Sequence, residues 1–320
     1  MPRHGLPKGK REGAALLLLA AVVALAALVG VAWAAGFDHV ARELRTPSPL
    51  WFLAAIGAEA LAYVGYALAY REVARVEAGP DLPHREAAAL VAAGFGPFVA
   101  GGGFHVDLHA LRATGLEERE ARVKVLGLGG LEYAVLAPAA CAAALILIVE
   151  KAKVGPGYTW PWAVAVPAGF VAAAVALHYR PRFRGRLRSA LDAVWVLRCL
   201  FVRPLDHGLP ALLGTALYWF GDVVALYACL RAFVPYDLSL PRLLLGYATG
   251  YALSRRTLPL GGAGVVEALL PFALAWVAVV PLAPAVLAVF AYRIVNLWLP
   301  LVPAAAAVPR VRRLRGRLGP

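Results

Sequence analysis

Apolar residues fill most of this chain in runs too long for a buried soluble helix and too continuous for an alternating strand. Residues 13–35, 50–70, 121–149, 160–179, 209–233 and 285–308 each lie near or above the ~20 apolar residues that a bilayer-crossing helix needs. Two further apolar segments, 86–118 and 242–280, are interrupted. Gly94, Gly96, Pro97 and Gly101-Gly102-Gly103 break the first, and Arg255-Arg256 with Pro259-Leu260-Gly261-Gly262-Ala263-Gly264 breaks the second. Broken backbone is tolerated at membrane depth only inside protein or beside a watery cavity. The pattern therefore predicts an all-α polytopic membrane protein with about six full spans plus two re-entrant helical hairpins, about eight apolar segments in all. In the second hairpin Pro259 ends one limb and the next begins near Gly264.

The two halves of the pattern repeat. Gly101 to Asp107 aligns with Gly261 to Glu267 at an offset of 160, and Ala58-Glu59 aligns with Gly221-Asp222 at 163. The halves run from about 50 to 149 and from about 209 to 308, each a span with an acid, a glycine-tipped hairpin and another span. Three crossings separate the hairpins, so the halves are expected to be inverted relative to each other, with a site where the two broken elements meet.

Composition agrees with this class: 61% of the 320 residues are hydrophobic. The net charge of +13 would point to nucleic acid in a soluble chain, but here the basic residues gather between the apolar runs. With a cytoplasmic amino terminus and neither hairpin crossing, the inner segments 1–12, 71–124, 180–208 and 309–320 hold 23 Lys and Arg, and the outer segments hold 6. That asymmetry places both termini inside, with basic tails at 1–12 and 309–320 and a single membrane domain over 13–308. Ala32-Trp33-Ala34 loosely resembles a signal-peptide cleavage site, but the run before it exceeds a usual signal core, so a retained helix is expected. The connector 180–208 carries seven arginines, with Leu187, Leu191, Val194, Trp195 and Phe201 at three- and four-residue steps. It reads as a helix lying on the inner leaflet. Cys141, Cys199 and Cys229 have neither metal-ligand spacing nor the pattern of a disulfide framework.

Charge at membrane depth costs about 2.5–3.5 kcal/mol per residue on insertion scales, so the charges inside the apolar runs carry the candidate chemistry. Arg255 and Arg256, with N–H groups opened by Gly261, Gly262 and Gly264, read as an anion site. Glu267 lies in the first turn of the second limb, where it favours the helix dipole. Arg293 and Asn296 in the last span, and Gly102, Gly103, His105 and Asp107 at the first hairpin, complete the substrate-binding set. Glu267, Glu59 or Asp222 would pair with Arg293 or take up a coupling proton, and Glu132 joins Glu59 and Asp222 among the charge-coupling acids, lining the cavity or only bonding between helices. The alternative is that these acids and arginines only neutralise one another so that the fold can insert. His105, Asp107 and His109 imitate a metal triad, but only the histidines share a helix face, so no metal or other cofactor is expected.

The run Leu258-Pro259-Leu260-Gly261-Gly262-Ala263-Gly264-Val265-Val266-Glu267, followed by Ala291-Tyr292-Arg293-Ile294 and Leu297-Trp298-Leu299-Pro300, resembles the flippase-like transmembrane domain of the lysylphosphatidylglycerol synthase family and its stand-alone members. The resemblance covers 14–308; in the amino half only Gly101-Gly102-Gly103 with Asp107 represents the family's turn. It implies an integral inner-membrane (plasma-membrane) protein that binds and translocates an anionic phospholipid or lipid-linked headgroup. In the synthases the aminoacyl chemistry belongs to a separate soluble domain, so an enzyme activity is not expected here. The alternatives are a non-transporting lipid-binding accessory or scaffold protein of cell-envelope biogenesis, with a separate envelope enzyme as partner, and a membrane-embedded lipid-modifying enzyme. Against the last, Ser254 is the one intramembrane serine and has no adjacent histidine.

Overall fold

The computed structural model describes residues 10–44, 47–101, 103–112, 114–202, 204–252, 262–307 and 309, and among these every regular element is helical. Six helices are long and apolar enough to cross a membrane: Leu18–Ala35, Pro49–Arg75, Glu118–Val149, Pro156–His178, Pro204–Phe233 and Leu282–Ala307. They are the six spans that the hydrophobic pattern predicts, and the protein is a multi-pass helical membrane protein. In chain order the elements are α1 (Lys10–Ala35), α2 (Phe37–Glu43), α3 (Pro49–Arg75), α4 (His84–Gly101), α5 (Gly103–Arg112) and α6 (Glu118–Val149). There follow α7 (Pro156–His178), α8 (Gly185–Leu200), α9 (Leu209–Phe233), α10 (Leu240–Tyr247), α11 (Val265–Val277) and α12 (Leu282–Arg293). The two interrupted segments form the shorter helices α4, α5, α10 and α11, and within each pair the helices pack against each other.

The centre of the fold is the crossing of α3 and α9, which approach so closely that side chains are excluded between them. A Cβ on Gly221 would lie 2.5 Å from the Ala58 carbonyl oxygen, and one on Gly65 would lie 2.5 Å from the Gly214 oxygen. Numbers rise on α3 as they fall on α9, so the helices are antiparallel, and the two contacts lie two turns apart on each. Small residues let helix backbones meet in this way where lipid supplies no hydrophobic drive for association. Around the crossing pack Leu226, Leu230, Leu270, Leu274 and Val289 in the main core, and a second core forms where α3 meets α4, α5 and α6.

The far end of α3 is held by charge. Lys124 on α6 is buried and its ammonium donates to the Ala74 and Val76 carbonyls, satisfying oxygens that the helix end leaves open. Beside it Glu72 accepts from Arg71 at 2.6 Å and stands 3.1 Å from His207 Nδ1.

The connector helix α8 divides the apolar stripe expected to sink into lipid. Leu191, Ala193, Val196 and Leu200 are buried, and Gly127 and Gly130 on α6 leave room for Ala193 and Leu197, so much of the apolar face packs on protein. Leu187 and Phe201 stay exposed. Arg180 and Arg198 both lie over the Trp195 ring, at 4.7 and 5.0 Å. Burial pushes the Cys199 thiol up, and the Glu77 carboxylate 3.7 Å away adds to the shift. Cys141 and Cys229 are buried within spans. Because the thiolate is the reactive form, a maleimide is expected to modify Cys199 alone, slowly at neutral pH and faster as pH rises. Peptide mass mapping checks this; earlier labelling of Cys229 would contradict the α9 packing.

Candidate functional site

Glu59 lies ten residues into α3, about 15 Å along a helix that needs about 30 Å to cross hydrocarbon. Asp222 follows Gly221 at the α3–α9 crossing, so the two acids sit at one level, one on each antiparallel helix. Both are buried. Asn296 joins them: its Nδ2 donates to Asp222 Oδ1 at 2.7 Å and reaches Glu59 Oε1 at 3.1 Å. The Tyr292 hydroxyl donates to Asp222 Oδ1 at 2.7 Å, the Tyr247 hydroxyl to Oδ2, and the Tyr251 hydroxyl to Asn296 Oδ1 at 2.7 Å.

Two of these residues owe their aim to irregular helix. Tyr251 lies in a π-helical turn, Ala248–Ala252, and Asn296 lies in another, Ile294–Trp298, that continues α12. A π turn inserts an extra residue and redirects side chains that a regular helix would align, and such turns are frequent at functional sites.

A second group adjoins in the sequence of α11 and α12. Arg293 Nε donates to Glu267 Oε1 at 2.6 Å, and Glu267 Oε2 accepts the Gly264 N–H at 2.7 Å. Gly264 has φ 86 and Gly262 φ 71, the left-handed region that glycine enters without strain. Glu267 thus closes the start of α11 upon itself, and that N–H is committed to Glu267. The tip also meets α1: a Cβ on Gly264 would come 2.5 Å from Val23 Cγ1.

The structure therefore brings together Glu59, Asp222 and Asn296 in one network, with the Glu267–Arg293 ion pair, closed on the Gly264 N–H, alongside. Asp107 is held by a partner of its own, and Glu132 is buried on α6. Asp107 on α5 accepts from Tyr66 at 2.7 Å, and the Glu132 backbone carbonyl accepts Trp219 Nε1 at 2.8 Å. Gly103 opens α5. Arg255, Arg256, Gly261, Gly102 and the side chain of His105 lie outside the described residues. Among the described residues no group of three metal-ligating side chains comes together. The hydroxyls of Tyr247, Tyr251 and Tyr292 are the members that residue patterns alone did not single out as donors. Tyr247 and Tyr251 stand four apart in an apolar run, a spacing that marks one helix face. Their rings continue a file from Tyr66 through Tyr218, Trp219, Tyr247 and Tyr251 to Tyr292, with successive centroids 4.7–6.1 Å apart. No protein-family model matches the chain, and no curated protein matches it.

Proposed function

We propose that this protein translocates an anionic phospholipid or lipid-linked headgroup across the inner (plasma) membrane, as a stand-alone member of the flippase-like family that its glycine-tip motif resembles. The observation that carries the reading is the charged and hydrogen-bonded network midway along the spans. Ionisable groups at that depth are expensive and are retained chiefly for substrate or ion pathways.

The arrangement at the crossing supports an inverted repeat. The offset that aligns Ala58-Glu59 with Gly221-Asp222 maps Ala58 onto the residue that it touches, so a two-fold axis relating the halves would pass through the contact. Glu59 and Asp222 would then be equivalent acids on that axis, where alternating access needs its fixed site. In this scheme α4–α5 and α10–α11 are the re-entrant hairpins, entering from opposite faces. Arg255 and Arg256 would supply cationic grip on the phosphate from the second hairpin. Asn296 and the tyrosines would hold the acids in place, and the acyl tails would remain in lipid while the headgroup passes. The Lys and Arg asymmetry puts both termini in the cytoplasm.

The test is a headgroup-labelled lipid assay in proteoliposomes. Wild type is expected to move an anionic lipid at least about tenfold faster than protein-free vesicles, and Asp222→Asn, which keeps the size of the side chain, to fall to the protein-free rate. If wild type moves no anionic lipid faster than empty vesicles, translocation is excluded; lipid binding without movement would favour the accessory-protein reading.

A further inference from the structure

Glu59 and Asp222 do more than stand at one level of the membrane: the Glu59 carboxyl lies within hydrogen-bond reach of the Asp222 carboxyl. Two ionised carboxylates offer only acceptors, so a bond between them requires a proton. The surrounding donors decide which acid carries it. Asp222 Oδ1 accepts from Asn296 Nδ2 and from the Tyr292 hydroxyl, both at 2.7 Å, and Oδ2 accepts from the Tyr247 hydroxyl. Glu59 Oε1 receives the other Asn296 N–H at the longer distance of 3.1 Å. Bonds donated to a carboxylate favour its ionised form, so Asp222 is the anion and Glu59 holds the proton.

The groups that face the pair agree with a shared proton. Arg293 on α12 is the cation within electrostatic reach of Asp222, and it is bonded to Glu267 of α11 at 2.6 Å. From α10 and the π turn beyond it come the phenols of Tyr247 and Tyr251, and from α9 itself the Cys229 thiol. From α6 comes Glu132, whose backbone carbonyl takes the Trp219 indole one turn from Asp222. One Arg293 among the acids leaves the pair short of positive charge, and a proton is the smallest remedy at a depth where bare charge is expensive. A metal cation would need oxygen ligands, whereas Asn296 turns its N–H groups to both acids. We infer that Glu59 and Asp222 form a site for one exchangeable proton, and that this proton is the ion whose entry and exit drive the translocation step. The inference rests on the translocation reading and adds to it the energy source. Losing the proton to water sets two anions side by side, so the pair gives it up and regains it only as one face of the site opens. A proton gradient across the membrane thereby biases which face opens.

The test has two readouts on the full chain, both in sodium-free buffer. Infrared difference spectra between neutral and alkaline pH report protonated carboxyls through their carbonyl stretch, whether or not lipid moves. Wild type is expected to show such a band at neutral pH, Glu59→Gln to lose it, and Asp222→Asn to shift it, since Glu59 then lacks its anionic acceptor. A band that Glu59→Gln leaves unchanged overturns the shared proton. In proteoliposomes holding a headgroup-labelled anionic lipid, with the membrane potential clamped by potassium and valinomycin, a gradient of about one pH unit is expected to speed wild-type movement by up to about tenfold, the ratio of proton activities. A protonophore is expected to abolish the gain. If lipid moves at one rate with and without the gradient, the coupling is overturned while translocation stands. If no lipid moves under either condition, translocation itself falls, and the coupling with it.

Discussion

Arg293→Met is expected to destabilise the protein by about 3–5 kcal/mol, because it strands a carboxylate that has no route to water. Arg293 and Glu267 are both essentially inaccessible, and the guanidinium meets the carboxylate at 2.6 Å. Removing the cation leaves Glu267 with the Gly264 N–H but without its counter-charge. Replacing both members at once tells a different story, since apolar or neutral substitutes of similar shape at a buried pair are often tolerated. The double variant Arg293→Met with Glu267→Gln should therefore recover most of the loss, the glutamine carbonyl still accepting from Gly264. Melting in detergent, read for both single variants and the double, gives the coupling energy. Additive losses would show that the pair does not act as one unit.

Gly221→Val is expected to be the most damaging change at the helix crossing. A Cβ there stands 2.5 Å from the Ala58 oxygen and 2.6 Å from the Ala62 nitrogen, both backbone atoms that cannot swing aside. Overpacking in a core usually costs about 1–3 kcal/mol, and here relief requires the helices to separate, which also carries Asp222 away from Tyr292 and Asn296. Lost yield, lower melting and loss of the proposed lipid movement should appear together. Gly169→Val is the matched control, because nothing lies within 4 Å of a Cβ at Gly169 on α7. Normal melting of Gly221→Val would mean that α3 and α9 do not meet as described.

The spans were legible because crossing a membrane writes itself into the chain as length: the six apolar runs and the six helices coincide to within several residues at most ends. The start of α11 was legible for a local reason, a glycine able to take positive φ followed three residues later by a glutamate that can reach back. Glu59 and Asp222 stood out because an acid in an apolar run is costly. Their tyrosine donors did not, since a tyrosine in such a run reads equally well as packing. The π turns around Tyr251 and Asn296 left no residue signature, because they follow from tertiary demands on those side chains. The stripe on α8 shows a related limit: periodicity declares that a face is apolar, and only the fold decides whether lipid or α6 covers it.

The seat of α1 carries a consequence for biogenesis. Ala20 and Ala24 pack with Ala263 and Leu297, and Val23 fills the space above Gly264, so α1 is completed by segments that are made long after it. At roughly 5–20 residues per second, the ribosome needs some tens of seconds to deliver those partners. Throughout that interval α1 has only α2 and α4 of its final neighbours to lean on, and the side that will cover Gly264 stays turned to lipid.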